Sequence, residues 1–123
     1  MDKVNLAQAF AAVDETWRPR IVGAVNDAHV KLARLDGAFV WHHHEHEDEL
    51  FLVMRGTLRM LWRNEVGAER ETVLKPGEFL VVPRGVEHCP VADEETHVVL
   101  LEPKGTVNTG NVRNERTREA SWL

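Results

Sequence analysis

Between Leu6 and Trp17 the apolar residues Leu6, Ala9, Phe10, Val13 and Trp17 recur at three- and four-residue steps. That spacing lays one apolar stripe along a helix and predicts a helix over Asn5 to Trp17. Asn5 can cap its first turn, with Gln8 three residues on in a capping-box arrangement, and Pro19 bars its continuation. From Arg20 the period drops to two. Nine short stretches then alternate apolar and polar positions: Arg20–Asn26, Ala28–Leu35, Ala38–His44, Glu49–Arg55, Thr57–Arg63, Glu69–Leu74, Glu78–Val82, Val86–Ala92 and Thr96–Glu102. Turn residues such as Asn26-Asp27, Asp36-Gly37, Arg55-Gly56 and Pro76-Gly77 separate them. Many short strands at this spacing predict an all-β antiparallel sandwich or closed barrel. No helical crossover separates the strands, which argues against a parallel sheet. The 123 residues therefore read as one domain: a helical arm over 1–19, a barrel over 20–102 and a polar tail over 103–123. The tail ends in Trp122-Leu123, which suggests that it docks rather than trails.

Four of the seven histidines lie between positions 42 and 46, within Trp41-His42-His43-His44-Glu45-His46-Glu47-Asp48-Glu49. Residues two apart in a strand share a face, so His42 and His44 project together while His43 points away. After a turn, the Glu49 carboxylate can approach the same point. Imidazole with carboxylate suits a divalent iron, manganese, nickel, copper or zinc ion. A solvated His/Glu-rich loop with adventitious metal affinity is the competing reading.

The stretch from Gly77 to His88, Gly-Glu-Phe-Leu-Val-Val-Pro-Arg-Gly-Val-Glu-His, returns the chain to a histidine. Together the two stretches resemble the paired motifs of the cupin superfamily. In the first, His42 and His44 are followed after four residues by Glu49 and after six more by Gly56. Gly37 precedes His42 by four intervening residues where the family has five. In the second, Gly77, Pro83, Gly85 and His88 fall in place, while Ala92 stands at the family's asparagine. The resemblance implies a jelly-roll β-barrel holding one divalent transition metal through His42, His44, Glu49 and His88, with His46 as a reserve ligand. It also implies a homodimer and a small-molecule ligand or substrate.

Parity extends the site. Val40 shares the side of His42, and Phe51 and Val53 share the side of Glu49, so these three are expected to make an apolar pocket floor. Cys89 falls on the face opposite His88 and reads as a small buried hydrophobe. Arg55, Arg59 and Arg63 oppose the apolar Leu58, Met60 and Trp62, which places the arginines outside. Fifteen basic against twenty acidic residues give a net charge of −5, a poor match to nucleic acid. The single cysteine excludes an intramolecular disulfide. The longest apolar runs are four or five residues, too short to span a membrane, and the N-terminal residues carry no secretory pattern. The expectation is a cytoplasmic protein. Two functions compete: a metal-dependent enzyme on a small polar molecule, by dioxygenase-like or Lewis-acid isomerase or lyase chemistry, and a non-catalytic barrel that binds a sugar or carboxylate.

Overall fold

A computed structural model describes residues 1–123. Helix α1 spans Leu6–Ala12, and Asn5 Oδ1 accepts from the Gln8 amide at 3.0 Å as the capping pattern requires. It ends five residues short of the predicted Trp17. Val13 is already extended, and its carbonyl is taken by the Arg34 guanidinium. Thr16 then forms a bridge beside Arg34. The stripe still does its packing, because Phe10 and Val13 bury against Leu32.

Eight strands follow: β1 Arg20–Val25, β2 Ala28–Ala38, β3 Glu49–Arg55, β4 Leu58–Arg63, β5 Glu69–Leu74, β6 Phe79–Val82, β7 His88–Pro103 and β8 Ser121–Trp122. Their order is β5-β4-β7-β2-β1-β8, with β3 on β7 and β6 on β3. All pairs are antiparallel except β1 with β8. The predicted strands Val86–Ala92 and Thr96–Glu102 run together as the 16-residue β7. Its first half pairs with β4 and its second half with β3, while β2 accompanies both. A strand shared in this way folds the sheet over itself as a jelly roll. The sheet does not close, since β5, β6 and β8 each pair on one side only.

The predicted strand Ala38–His44 is reduced to a bridge between His42 and His88, with amide-to-carbonyl bonds of 3.0 and 2.9 Å. The reason is Pro90. Its carbonyl accepts from the Phe39 amide, but it has no N–H to return, so no regular ladder forms there.

The main core is the inner face of the roll, including Ala33, Leu35, Phe51, Val53, Leu58, Met60, Val98 and Leu100. The tail does dock. Asn111 donates to the His43 carbonyl at 3.0 Å and its side chain accepts from the His43 amide at 2.8 Å, and the chain ends on β1. Gly110 makes that approach possible: its φ is +55°, and a Cβ there would lie 2.2 Å from the His43 carbonyl oxygen. Gly110→Ala is expected to cost at least about 1–3 kcal/mol, the strain of a left-handed alanine before any clash. Urea midpoints of the two proteins check it. No helix is long and apolar enough to cross a membrane.

Candidate metal centre

His42 and His44 leave the bridged run, Glu49 opens β3 and His88 opens β7, so the site sits where the two motif-bearing loops meet. Those loops are tied directly. Gly85 donates its amide to the His44 carbonyl at 2.8 Å, and the Arg84 amide donates to Asp48 Oδ1 at 2.9 Å. All four side chains are buried, and their donor atoms lie within 4.8 Å of one another.

The rings are held in a definite sense. Nδ1 of His42 donates to the Val40 carbonyl and Nδ1 of His88 to the Val86 carbonyl, both at 2.8 Å. A carbonyl only accepts, so the proton is on Nδ1 and each Nε2 lone pair is left facing inward. His44 Nε2, Glu49 Oε1 and His88 Nε2 are buried without a hydrogen-bond partner. The two nitrogens lie 3.2 and 3.5 Å from Glu49 Oε1. Three orphaned buried atoms aimed at one point demand a partner, since each would otherwise cost its full desolvation. A divalent cation supplies that partner, and the donor set fits one.

Protonation agrees. Burial, then the neighbouring His88, lowers the His42 pKa from 6.5 to about 4, which keeps its ring neutral as a ligand must be. Burial pushes the Glu49 carboxyl up, but its polar contacts with Glu102, His44 and His88 outweigh this and hold it well below the usual range. A pH dependence follows for the metal-free protein. His42 charges near 6.5 when unfolded and only near 4 when folded, so the unfolded chain takes its proton first as pH falls. Stability that is whole above pH 6.5 is withdrawn down to pH 4, by up to about 3 kcal/mol for this shift. Urea midpoints measured against pH, wild type minus His42→Gln, should show that slope. A difference that stays flat across the window contradicts it.

Of the other sequence-nominated residues, Phe51 lies beside the donors and Val53 lies deeper in the core. Val40 offers its carbonyl to His42, and its side chain is not on the cavity wall. His46 is exposed on the outer loop. His43 faces away, its Nδ1 2.8 Å from Glu87 Oε1, and that hydrogen bond raises its pKa. Cys89 is buried and unbridged. Arg59 is outside, paired with Asp93, and Arg63 lies over the Trp41 ring at 4.3 Å.

Beside His42 and Glu49 is a cavity of about 30 Å³, walled by Trp17, Ala33, Leu35, Phe39, Phe51 and Leu100 among others. The helical stripe assigns Trp17 to the face of α1, and the structure places it here instead. Its φ is +61°, a rare conformation for so bulky a residue. Three bonds hold it: its amide to the Arg34 carbonyl, its indole N–H to the Asp36 carbonyl at 2.8 Å, and its carbonyl accepting from Asn108. Its ring stacks on Phe39 at 4.6 Å between centroids. Two further buried residues that neither motif contains, Lys31 and Glu102, pair in the interior at 2.7 Å.

Comparison with known proteins agrees with this fold. The Cupin_2 family model, a cupin domain, matches residues 29–103. The Bacillus subtilis (strain 168) protein "Uncharacterized protein YdbB" is 39% identical over 84 residues, covering 68% of this chain and 71% of that one. A solved cupin-2 domain containing protein from Shewanella frigidimarina NCIMB 400 is 39% identical, with a TM-score of 0.76 over 82% of this chain and 94% of that one. Hydroquinone 1,2-dioxygenase from Sphingomonas sp. TTNP3 with 4-hydroxybenzoate bound is 18% identical. It aligns with a TM-score of 0.66 over 78% of this chain and 71% of that one, a likeness of fold alone.

Proposed function

This chain belongs to the cupin domain family, and from that premise we propose that it is a mononuclear metal protein acting on a small molecule. His42, His44, Glu49 and His88 would hold one divalent transition metal, whether iron, manganese, nickel, copper or zinc. The ligand would reach it through the cavity beside His42 and Glu49. The observation that carries this reading is the set of three buried donor atoms without partners, converging on one point.

An ion bound there supplies Lewis acidity and coordination positions for a ligand or dioxygen. The chain's own residues do the rest. The Val40 and Val86 carbonyls keep two imidazoles aimed inward. Glu49 contributes the single negative charge among the four donors, and the Trp17–Phe39 stack with Phe51 gives the inner wall its apolar surface. The only titratable groups on that wall are His42 and Glu49, both ligands in this reading. That wall offers no further side chain to move a proton, as an isomerase or lyase needs. The wall therefore favours chemistry carried by the ion, as in a dioxygenase. The same wall serves the second reading, a barrel that binds its ligand without converting it.

The test is elemental analysis of untagged, anaerobically purified protein, followed by nitric oxide addition to the iron(II)-loaded form. About one ion per chain with a spectrum that responds to nitric oxide supports the enzyme reading. One ion indifferent to nitric oxide overturns it in favour of the binding barrel. Absence of stoichiometric metal overturns both.

The expected homodimer has a matching face. Val81, Leu50 and Leu101 form one outward row across β6, β3 and β7, and Phe79, Leu52 and Val99 form the next, with Phe79, Val81 and Leu101 exposed. Sedimentation at micromolar concentration is expected to give the mass of two chains. A single-chain mass counts against it.

A further inference from the structure

Lys31 and Glu102 are charged side chains inside the roll that the ligand set does not use. Lys31 is 1% exposed and Glu102 3%. On β2, Lys31 shares the inner face with Ala33 and Leu35; on β7, Glu102 shares it with Val98 and Leu100. Leu50 pairs with Leu101, so one step along the same register Glu49 stands opposite Glu102. Lys31 pairs with Leu100, two residues from Glu102 and on the same face, from the other side. Its Nζ lies 2.7 Å from Glu102 Oε1 and 3.3 Å from the Thr106 carbonyl. The second carboxyl oxygen, Oε2, is buried with no partner in hydrogen-bond geometry. Burial and the Glu49 charge raise the Glu102 pKa, against the pull of Lys31.

A buried ion pair seldom stabilises a core better than the aliphatic residues that could replace it. This one therefore has no evident place in a core of Ala, Val and Leu as a stabilising device. It abuts the one carboxylate of the donor cluster, and ligating carboxylates are commonly held by partners behind them. We propose that Lys31 and Glu102 are positioning residues of the metal centre: Lys31 pins Glu102 through Oε1, and Glu102 Oε2, sharing a proton with the Glu49 carboxylate, braces it so that Glu49 Oε1 faces the three imidazoles. The inference rests on the metal reading above. It adds a part of the site that neither motif contains, running Lys31–Glu102–Glu49 toward the ion.

The test is cobalt(II) titration of the full chain, read by affinity and by the visible ligand-field spectrum, in wild type, Lys31→Met/Glu102→Leu and Lys31→Met/Glu102→Gln. The leucine variant removes both charges together and so should fold. It is expected to bind cobalt(II) about 10–100-fold more weakly, with altered visible bands. The glutamine variant restores a polar group against Glu49 and is expected to recover most of the loss. Wild-type affinity and spectrum in the leucine variant overturn the brace, as does a glutamine variant no better than leucine. Should the leucine variant fail to fold, Lys31→Met alone carries the test, and wild-type affinity and spectrum there overturn the brace. Wild type that takes up no cobalt(II) overturns the metal reading itself, and the brace with it.

Discussion

His88→Ala is expected to leave a folded protein that binds a divalent metal more than about 100-fold more weakly than the native chain. The magnitude follows from the donor set. Partners behind a ligand are worth about 10–100-fold in affinity, and a ligand that touches the ion is worth more. The fold should survive because what His88 gives the architecture is its backbone. The bridge to His42 is made by amides and carbonyls in both directions, which alanine retains. The lost ring leaves a cavity, but it also removes a buried Nε2 that has no partner in the metal-free protein. The two effects offset in part. Thermal melts with and without cobalt(II) read the outcome through linkage. At a free metal concentration of 100 times the dissociation constant, wild type should gain about 2.7 kcal/mol, and the variant a few tenths at most. Equal upward shifts in both proteins would mean that the metal sits elsewhere and that His88 is no ligand.

The sequence discloses what depends on local alternation and loses what depends on distant register. Alternation shows that His42 and His44 share a face, that Phe51 and Val53 follow Glu49, and that Cys89 lies off the face of His88. Those placements hold even though no regular strand forms over Ala38–His44, because one bridge to His88 keeps the run extended. Pro90, which prevents the ladder, is plain in the sequence, but its position opposite Phe39 is not. The helix ends early for a similar reason. Arg34, on a strand 21 residues from Val13 in the chain, takes the carbonyl that would have continued it. Trp17 is then free to stack on Phe39 in a conformation that no stripe of apolar residues announces. Lys31 and Glu102 were legible in principle, since each falls in step with inward aliphatic neighbours. A lone lysine on a strand ordinarily reads as solvated, and only the β2–β7 register shows that these two charges meet.

Glu102→Leu alone is expected to destabilise the metal-free protein by about 3 kcal/mol, the lower end of the cost of breaking a buried ion pair from one side. The lower end applies because burial and the Glu49 charge already disfavour the ionised form of Glu102. The cost arises from what stays behind. Lys31 is buried, and with Glu102 gone its remaining hydrogen-bond partner is the Thr106 carbonyl at 3.3 Å. Lys31→Met/Glu102→Leu removes that stranded charge and fills the space with apolar atoms. It should return stability to within about 1 kcal/mol of wild type or above it, as hydrophobic replacements of buried pairs do. The sign of the coupling is therefore fixed in advance: the double variant is more stable than the single Glu102→Leu variant, by about 2–3 kcal/mol for residues in direct contact. Urea unfolding of metal-free wild type, both single variants and the double measures it. A single variant that loses under about 1 kcal/mol would mean that Lys31 reaches water once its partner is gone. A double variant as unstable as the single would place the cost in lost packing rather than in stranded charge. Only the predicted ordering, an unstable single beside a stable double, fits a pair that the fold could do without and that therefore stands there for Glu49.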